Sequence, residues 1–267
     1  MKKHINIENK LIPIVFQLLI LFIWQISIDK WKVPQYILPS PKDIIITLVN
    51  ILPSITKHIY ATLYEALLGF IISIIVALVL AILMDNVKLI KKCLYPILVV
   101  SQTVPIIALA PLFIIWFGYG MVPKIIVVVL VCFFPIVISL IDGLESVDTD
   151  MVNLLKTMGA SKFQIFTMVK LPASTVNFFS GLRIAATYSI MGAVIGEWLG
   201  GDKGLGVYML RTKNSYALDK FFAVIIIIVI LSMTLFGILY LIQYFFTPWS
   251  RNKTDKKIKR NLYIKWR

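Results

Sequence analysis

Arg183 and Glu197 stand within and at the end of an apolar stretch running from Leu171 to Gly196. Ionisable groups in such a setting are costly and usually face a protein interior or water, so each is a candidate contact for a polar solute. Plainer readings stay open beside that one: Arg183 can snorkel from its helix end, and Glu197 can face either an external vestibule or the lipid headgroups. Ser101, Gln102 and Thr103 before Pro105, together with Thr187, Tyr188 and Ser189, are the other groups able to hydrogen-bond a passing molecule. Small hydroxyl residues also serve helix packing, which is the reading adopted for Ser189. This set offers hydrogen bonds and charge. No polar cluster of the kind catalysis needs is visible, so no catalytic residue is assigned.

Other chemistry-bearing residues point away from metals and nucleotides. Cys93 and Cys132 lie in separate apolar segments and form no Cys-x-x-Cys pair, so neither a disulfide framework nor a metal site is expected. His4 and His58 are isolated near expected membrane interfaces and read as solvated or headgroup-facing. The cluster Gly200-Gly201-Asp202-Lys203-Gly204-Leu205-Gly206 invites a phosphate-loop reading, but the chain contains no Gly-Lys dipeptide, so the Walker sequence is absent. It reads as a flexible external turn. No cofactor is expected, and any ATP must be handled by another polypeptide.

One long polar segment, residues 142–177, has the makings of a protein contact. Asp148 and Asp150 place negative charge where a helix would start, Lys156 lies near its end and Gly159 follows, which predicts a helix from about Asp148 to Met158. Ser161 and Gln164 make a capping box for a second helix, with Pro172 as its stop. Met151, Leu154, Leu155 and Met158 fall at i, i+3, i+4 and i+7, giving one apolar face on a segment too short and charged to enter a bilayer. Two readings of that face remain: it packs back on the chain's own helices, or it waits for a partner groove.

The elements that must position these groups are membrane helices. A hydrophobic fraction of 59%, 15% charged residues and a mean hydropathy of +0.89 lie far from a soluble domain. Uncharged stretches cover residues 11–28, 66–84, 93–123, 125–141, 171–196 (interrupted by Arg183) and 221–250. With about 20 apolar residues needed to cross the hydrocarbon, they predict six spans. Leu11 to Ile28 has basic residues before it but no small-x-small cleavage site after it, and Trp24 and Trp31 read as interfacial anchors, so it is taken as an uncleaved first span. Cys93 to Pro123 is too long for one straight span and contains Pro96, Pro105 and Pro111, which predicts a tilted or broken helix leaving through Gly118-Tyr119-Gly120.

Six spans put both termini on one side. Placing them in the cytoplasm gives 17 Lys and Arg inside against 9 outside, with the polar segment inside between spans four and five. The organisation expected is a transmembrane domain over residues 1–250 and a basic cytoplasmic tail over residues 251–267. Net charge is +14, but Arg251, Lys253, Lys256, Lys257, Lys259, Arg260, Lys265 and Arg267 follow directly on a span, which fits anionic lipid rather than nucleic acid. A secondary carrier would be expected to show internal repeats and several intramembrane charges; only Arg183 and Glu197 read as such charges.

The segment Gly159, nine residues, then Val169-Lys170-Leu171-Pro172 resembles the cytoplasmic "EAA" loop of ATP-binding-cassette importer permeases, of form EAA-x3-G-x9-I-x-LP. Asn153-Leu154-Leu155 stands where that family has Glu-Ala-Ala. Leu38-Pro39-Ser40-Pro41, Trp116-Phe117-Gly118-Tyr119-Gly120, Phe133-Phe134-Pro135-Ile136 and Ser180-Gly181-Leu182-Arg183 are similar to the nitrate, sulfonate and taurine type of permease. Residues 185–200 resemble its thiamine-pyrimidine and riboflavin branch. The resemblance implies an all-α inner-membrane permease with no enzymatic activity of its own. It implies a homodimer, two ATPase subunits on the cytoplasmic side and a solute-binding protein outside. It also implies that Asp150, Met151, Leu154, Leu155, Met158, Gly159, Ala160 and Ser161 contact the ATPase; Ser101, Gln102, Thr103, Arg183, Tyr188 and Glu197, singled out by their polarity, are the candidates for the solute path.

Overall fold

The computed structural model describes residues 7–248, so Lys2, Lys3, His4 and the basic tail lie outside the described residues. Their fold is all-α: α1 (Ile7–Trp31), α2 (Pro41–Asn86), α3 (Lys88–Ser101), α4 (Ile106–Phe117), α5 (Met121–Glu145), α6 (Thr149–Thr157), α7 (Lys162–Ile165), a π-helical turn (Phe166–Lys170), α8 (Leu171–Gly200), α9 (Leu205–Asn214) and α10 (Leu218–Phe246). Five helical stretches are long and apolar enough to cross a membrane, and α3 with α4, bent by 102° at their break, supplies a sixth, broken span. The expected interruption between Cys93 and Pro123 therefore falls at Gln102–Pro105. Pro105 lacks the N–H that would continue the ladder, and it sits in extended conformation at the start of α4.

The centre of the bundle is α5 packed between α8 and α2. Ala185, Ala186, Ser189 and Ala193 on α8 are fully buried, as are Val128, Cys132 and Ile136 on α5. Small side chains let the two backbones approach, close enough for the Cys132 thiol to donate to the Ala185 carbonyl at 3.3 Å. Ser189 donates to Ala186 O within its own helix and faces this packing, as read from its hydroxyl size.

Three boundaries differ from the expectation. Residues before Ala61, read as an external loop, form the first turns of α2, which is 46 residues and about 69 Å long. Ser40 caps it through the Asp43 N–H at 3.1 Å, Pro41 opens it, and Ile44, Ile51 and Ile55 bury against α9 and α10. Pro172 does not stop the helix before it. The chain widens into the π turn, Leu171 N–H reaches back to Phe166 O, and α8 continues with Pro172 in its first turn, where a missing N–H costs least. Trp24 meets the Phe222 ring edge-on at 6.1 Å and its Nε1 is buried without a partner, so only Trp31, exposed, retains the position expected of an anchor.

Candidate functional site

The segment between α5 and α8 is built from local signals. Asp148 Oδ1 accepts from the Asp150 N–H at 2.9 Å and caps α6. At the other end Gly159 has φ +83°, Gly159 N–H reaches Lys156 O and Ala160 N–H reaches Leu155 O, both at 3.0 Å. This double closure requires a left-handed residue, which explains a glycine at that point. Ser161 and Gln164 form the expected reciprocal cap, with Ser161 N–H donating to Gln164 Oε1 at 2.8 Å. Two ion pairs tether the segment and its neighbours: Lys170 with Asp85 of α2 at 2.6 Å, and Lys91 of α3 with Glu145 of α5.

On the stripe, Met151, Leu154 and Met158 are 54%, 60% and 74% exposed, and only Leu155 is half-buried. Phe163, 75% exposed, extends the same apolar character past the turn. Among the described residues this face is not packed back on the chain's own helices. Asp150 and Ser161 are exposed and Ala160 is half-buried beside them.

The six candidate path residues do not converge. Ser101 and Thr103 return their hydroxyls to the carbonyls of Leu98 and Val100 at the α3–α4 break, leaving Gln102 exposed there. Arg183 does not stand free: Nη1 donates to Gln243 Oε1, Nη2 to Ser180 Oγ, and the guanidinium lies 5.8 and 6.0 Å from the Phe236 and Tyr240 ring centres. Tyr188 is exposed on α8. Glu197 lies about 21 Å along the helix axis from Arg183 and is fully buried, facing neither a vestibule nor headgroups.

Glu197 instead anchors a polar cluster at the end of the bundle opposite α6. α9 begins at Gly204, which has no side chain to cap it. Its first N–H groups are satisfied from other helices: Gly206 N–H donates to Glu197 Oε2 at 2.5 Å, and Leu205 N–H donates to Thr62 Oγ1 at 2.8 Å. Thr62 in turn donates to Glu197 Oε1 at 2.6 Å, so the carboxylate sits at the positive end of α9 with two donors. His58 Nδ1 lies 3.1 Å from the Gly204 N–H and 2.9 Å from its carbonyl, accepting from one or donating to the other according to tautomer. A Cβ at Gly204, where φ is +129°, would overlap the Glu197 carboxylate. Lys124 Nζ donates to Glu65 Oε1 at 2.7 Å, with both side chains buried, while Glu65 Oε2 has no hydrogen-bond partner.

This cluster corrects three readings. The glycine segment is an ordered turn pinned by Glu197, His58 is held against it, and Lys124, the residue between the uncharged stretches 93–123 and 125–141 and so counted with the outside charges, is 6% exposed in the bundle. Glu65 was missed because it sits one residue ahead of the uncharged stretch at Ala66; with Lys124 it raises the number of charges held inside the spans. The available signal was Glu65 and Lys124 each bordering an apolar run, with opposite charge.

The family of binding-protein-dependent transport system inner membrane components matches residues 69–251. The formylaminopyrimidine transport permease protein ThiX of Halalkalibacterium halodurans is 37% identical over 242 residues, covering 90% of this chain and 96% of that protein. The riboflavin transport system permease protein RibX of Chloroflexus aurantiacus is 30% identical over 240 residues, covering 89% of each. Among solved structures, a chain of the inward-facing MetNI methionine ABC transporter superposes with a TM-score of 0.56 at 18% identity, covering 74% of this chain and 96% of that one, a likeness of fold.

Proposed function

The chain belongs to the family of binding-protein-dependent transport system inner membrane components, permeases of ABC importers, and on that premise we propose that its cargo is a thiamine pyrimidine precursor. The observation that supports this reading is the 37% identity, over nearly the full length of both chains, to a permease for formylaminopyrimidine. A riboflavin cargo is the second reading, supported by the RibX relative. Tyr188 offers an exposed ring on which a flat heterocycle stacks and Gln102 an exposed amide that hydrogen-bonds one, each at its own place along the path.

A multi-pass inner-membrane permease needs its energy from elsewhere. The proposed assembly is two copies of this chain, two ATPase chains in the cytoplasm and a solute-binding protein on the other side, with both termini and α6 cytoplasmic. Met151, Leu154 and Met158 dock in a groove of the ATPase. Closure of the ATPase pair moves α6, capped at both ends, as a rigid lever, and α8 carries that motion across the membrane.

Two measurements test this. Uptake of labelled hydroxymethylpyrimidine, riboflavin and taurine is compared in cells with and without the chain; loss confined to the pyrimidine supports the first reading, loss of riboflavin alone the second, and loss of taurine alone overturns both. In a cysteine-free background, an impermeant thiol reagent applied outside should label Asp202→Cys and spare Asn153→Cys. The reverse pattern would sink the sidedness.

A further inference from the structure

α6 has a second face. Thr149, Val152, Asn153 and Lys156 repeat the i, i+3, i+4, i+7 spacing on the side of the helix opposite Met151, Leu154 and Met158. That back face, the end of α2, the start of α3 and the end of α5 enclose a cavity of about 820 Å³. Ala81, Met84, Ile141 and Leu144 give it an apolar floor. Its acidic groups are already engaged, Asp85 by Lys170 and Glu145 by Lys91. Lys88, Lys92 and Lys156 line the same cavity and have no acidic partner among the described residues.

The start of α3 sharpens that imbalance. Its first turn has no acidic residue and no side-chain cap, and Lys88, Lys91 and Lys92 crowd the helix end that already carries positive charge. An anion is what this arrangement lacks. The cavity also lies where the apolar runs of α2 and α5 end, at Asn86 and Glu145, which is where a spanning helix is expected to meet headgroups. Along α3, Tyr95 and Pro96 continue the lining away from the lysines, and Leu89, Ile97 and Val100 are exposed on another side of the same helix.

We propose that this cavity seats an anionic phospholipid, its phosphate held by Lys88, Lys92 and Lys156 and its acyl chain lying along the floor and the α3 flank. Charge complementarity selects an anion, and the apolar floor selects one with a hydrocarbon tail; the chain's own residues 251–267, eight basic against one acidic, do not match that charge. The lipid then stands behind the lever, between α6 and the bilayer. Its effect on transport rests on the coupling reading above, whereas the binding itself does not.

The test uses the purified full chain offered phosphatidylglycerol and phosphatidylcholine together, with retained lipid read by native mass spectrometry. The wild-type chain should retain phosphatidylglycerol preferentially, and Lys88→Gln/Lys92→Gln/Lys156→Gln should retain it about a hundredfold more weakly, taking each lysine as worth about a fivefold factor. Lys88→Gln alone, on the exposed first turn of α3, should lose about fivefold and serves if the triple variant does not fold. Neutralising Lys203 and Lys213 to Gln, exposed lysines that do not line the cavity, should leave retention unchanged, and excess glycerophosphoglycerol, the headgroup without its chains, should not displace the lipid. Unchanged retention in folded Lys88→Gln, an equal loss in the Lys203→Gln/Lys213→Gln control, or displacement by the soluble headgroup each overturns the proposal. No ATPase or cargo enters the assay, so failure of the coupling reading shows elsewhere, in uptake.

Discussion

At one end of the bundle, α6 holds Met151, Leu154 and Met158 out in solvent; at the other, Glu65, Lys124 and Glu197 are enclosed among apolar helices. Each end reverses the usual distribution of polarity. The buried groups find their partners inside the chain: Lys124 pairs with Glu65, and Glu197 takes the Thr62 hydroxyl and the Gly206 N–H. The exposed groups find none among the described residues. A polar cluster held by pairs from several helices is what keeps a fold in register, and an apolar face left open on a capped helix is what a second protein can use. α8 joins the two, since it follows the loop through the π turn and ends at the cluster.

The sharpest way to break this contrast is at the buried end. Lys124→Met leaves Glu65 buried without its cation, and losing one partner of a buried pair costs about 3–5 kcal/mol. Thermal unfolding followed by size exclusion in detergent should show a large loss of folded chain. Adding Glu65→Leu should recover most of it, because removing both charges is close to neutral. A Lys124→Met chain as stable as wild type would mean that the cluster does not hold the fold.

At the open end the expectation is opposite. Leu154→Asp leaves stability unchanged, since the side chain touches solvent, yet a docking anchor is worth about 2 kcal/mol, or about thirtyfold in affinity. Capture of the cognate ATPase by the permease should weaken by that factor, and uptake should fall with it. Wild-type capture would move the docking face elsewhere.

How much of each end the sequence showed follows from the range of its interactions. Asp148, Gly159 and the Ser161 and Gln164 pair act within four residues of themselves, so α6, its stop and the next cap were all predicted to within a residue. The stripe was legible by spacing, but its exposure was not, because spacing says which residues share a face and not what covers them. The six spans followed from apolar run lengths. The cluster joins residues 58, 62, 65, 124, 197, 204 and 206, each pair of elements brought together only by packing. Glu197 was singled out by its setting; its partners were invisible because nothing local links Thr62 to Gly206. Pro172 misled for a similar reason, as its usual effect of ending a helix was absorbed by one wide turn.

The smallest expected effect separates the geometry of the loop from its surface. Gly159 has φ +83° with nothing within 4 Å of a hypothetical Cβ, so any change there acts through the backbone and not through a clash. A β-branched residue in left-handed conformation costs about 1–2 kcal/mol, enough to loosen the closure onto Lys156 and Leu155 without unfolding the bundle. Gly159→Val should therefore reach the membrane in normal amounts and melt normally, while ATP-driven uptake falls severalfold. Gly159→Asn, which tolerates the left-handed region, should keep most of the uptake. The pair distinguishes a stiff lever from a mere docking patch: a patch needs only its side chains, so it predicts equal uptake for both variants, whereas a lever loses force wherever its end is free to swing. Equal uptake in Gly159→Val and wild type would leave α6 as a docking surface and remove the rigid connection to α8.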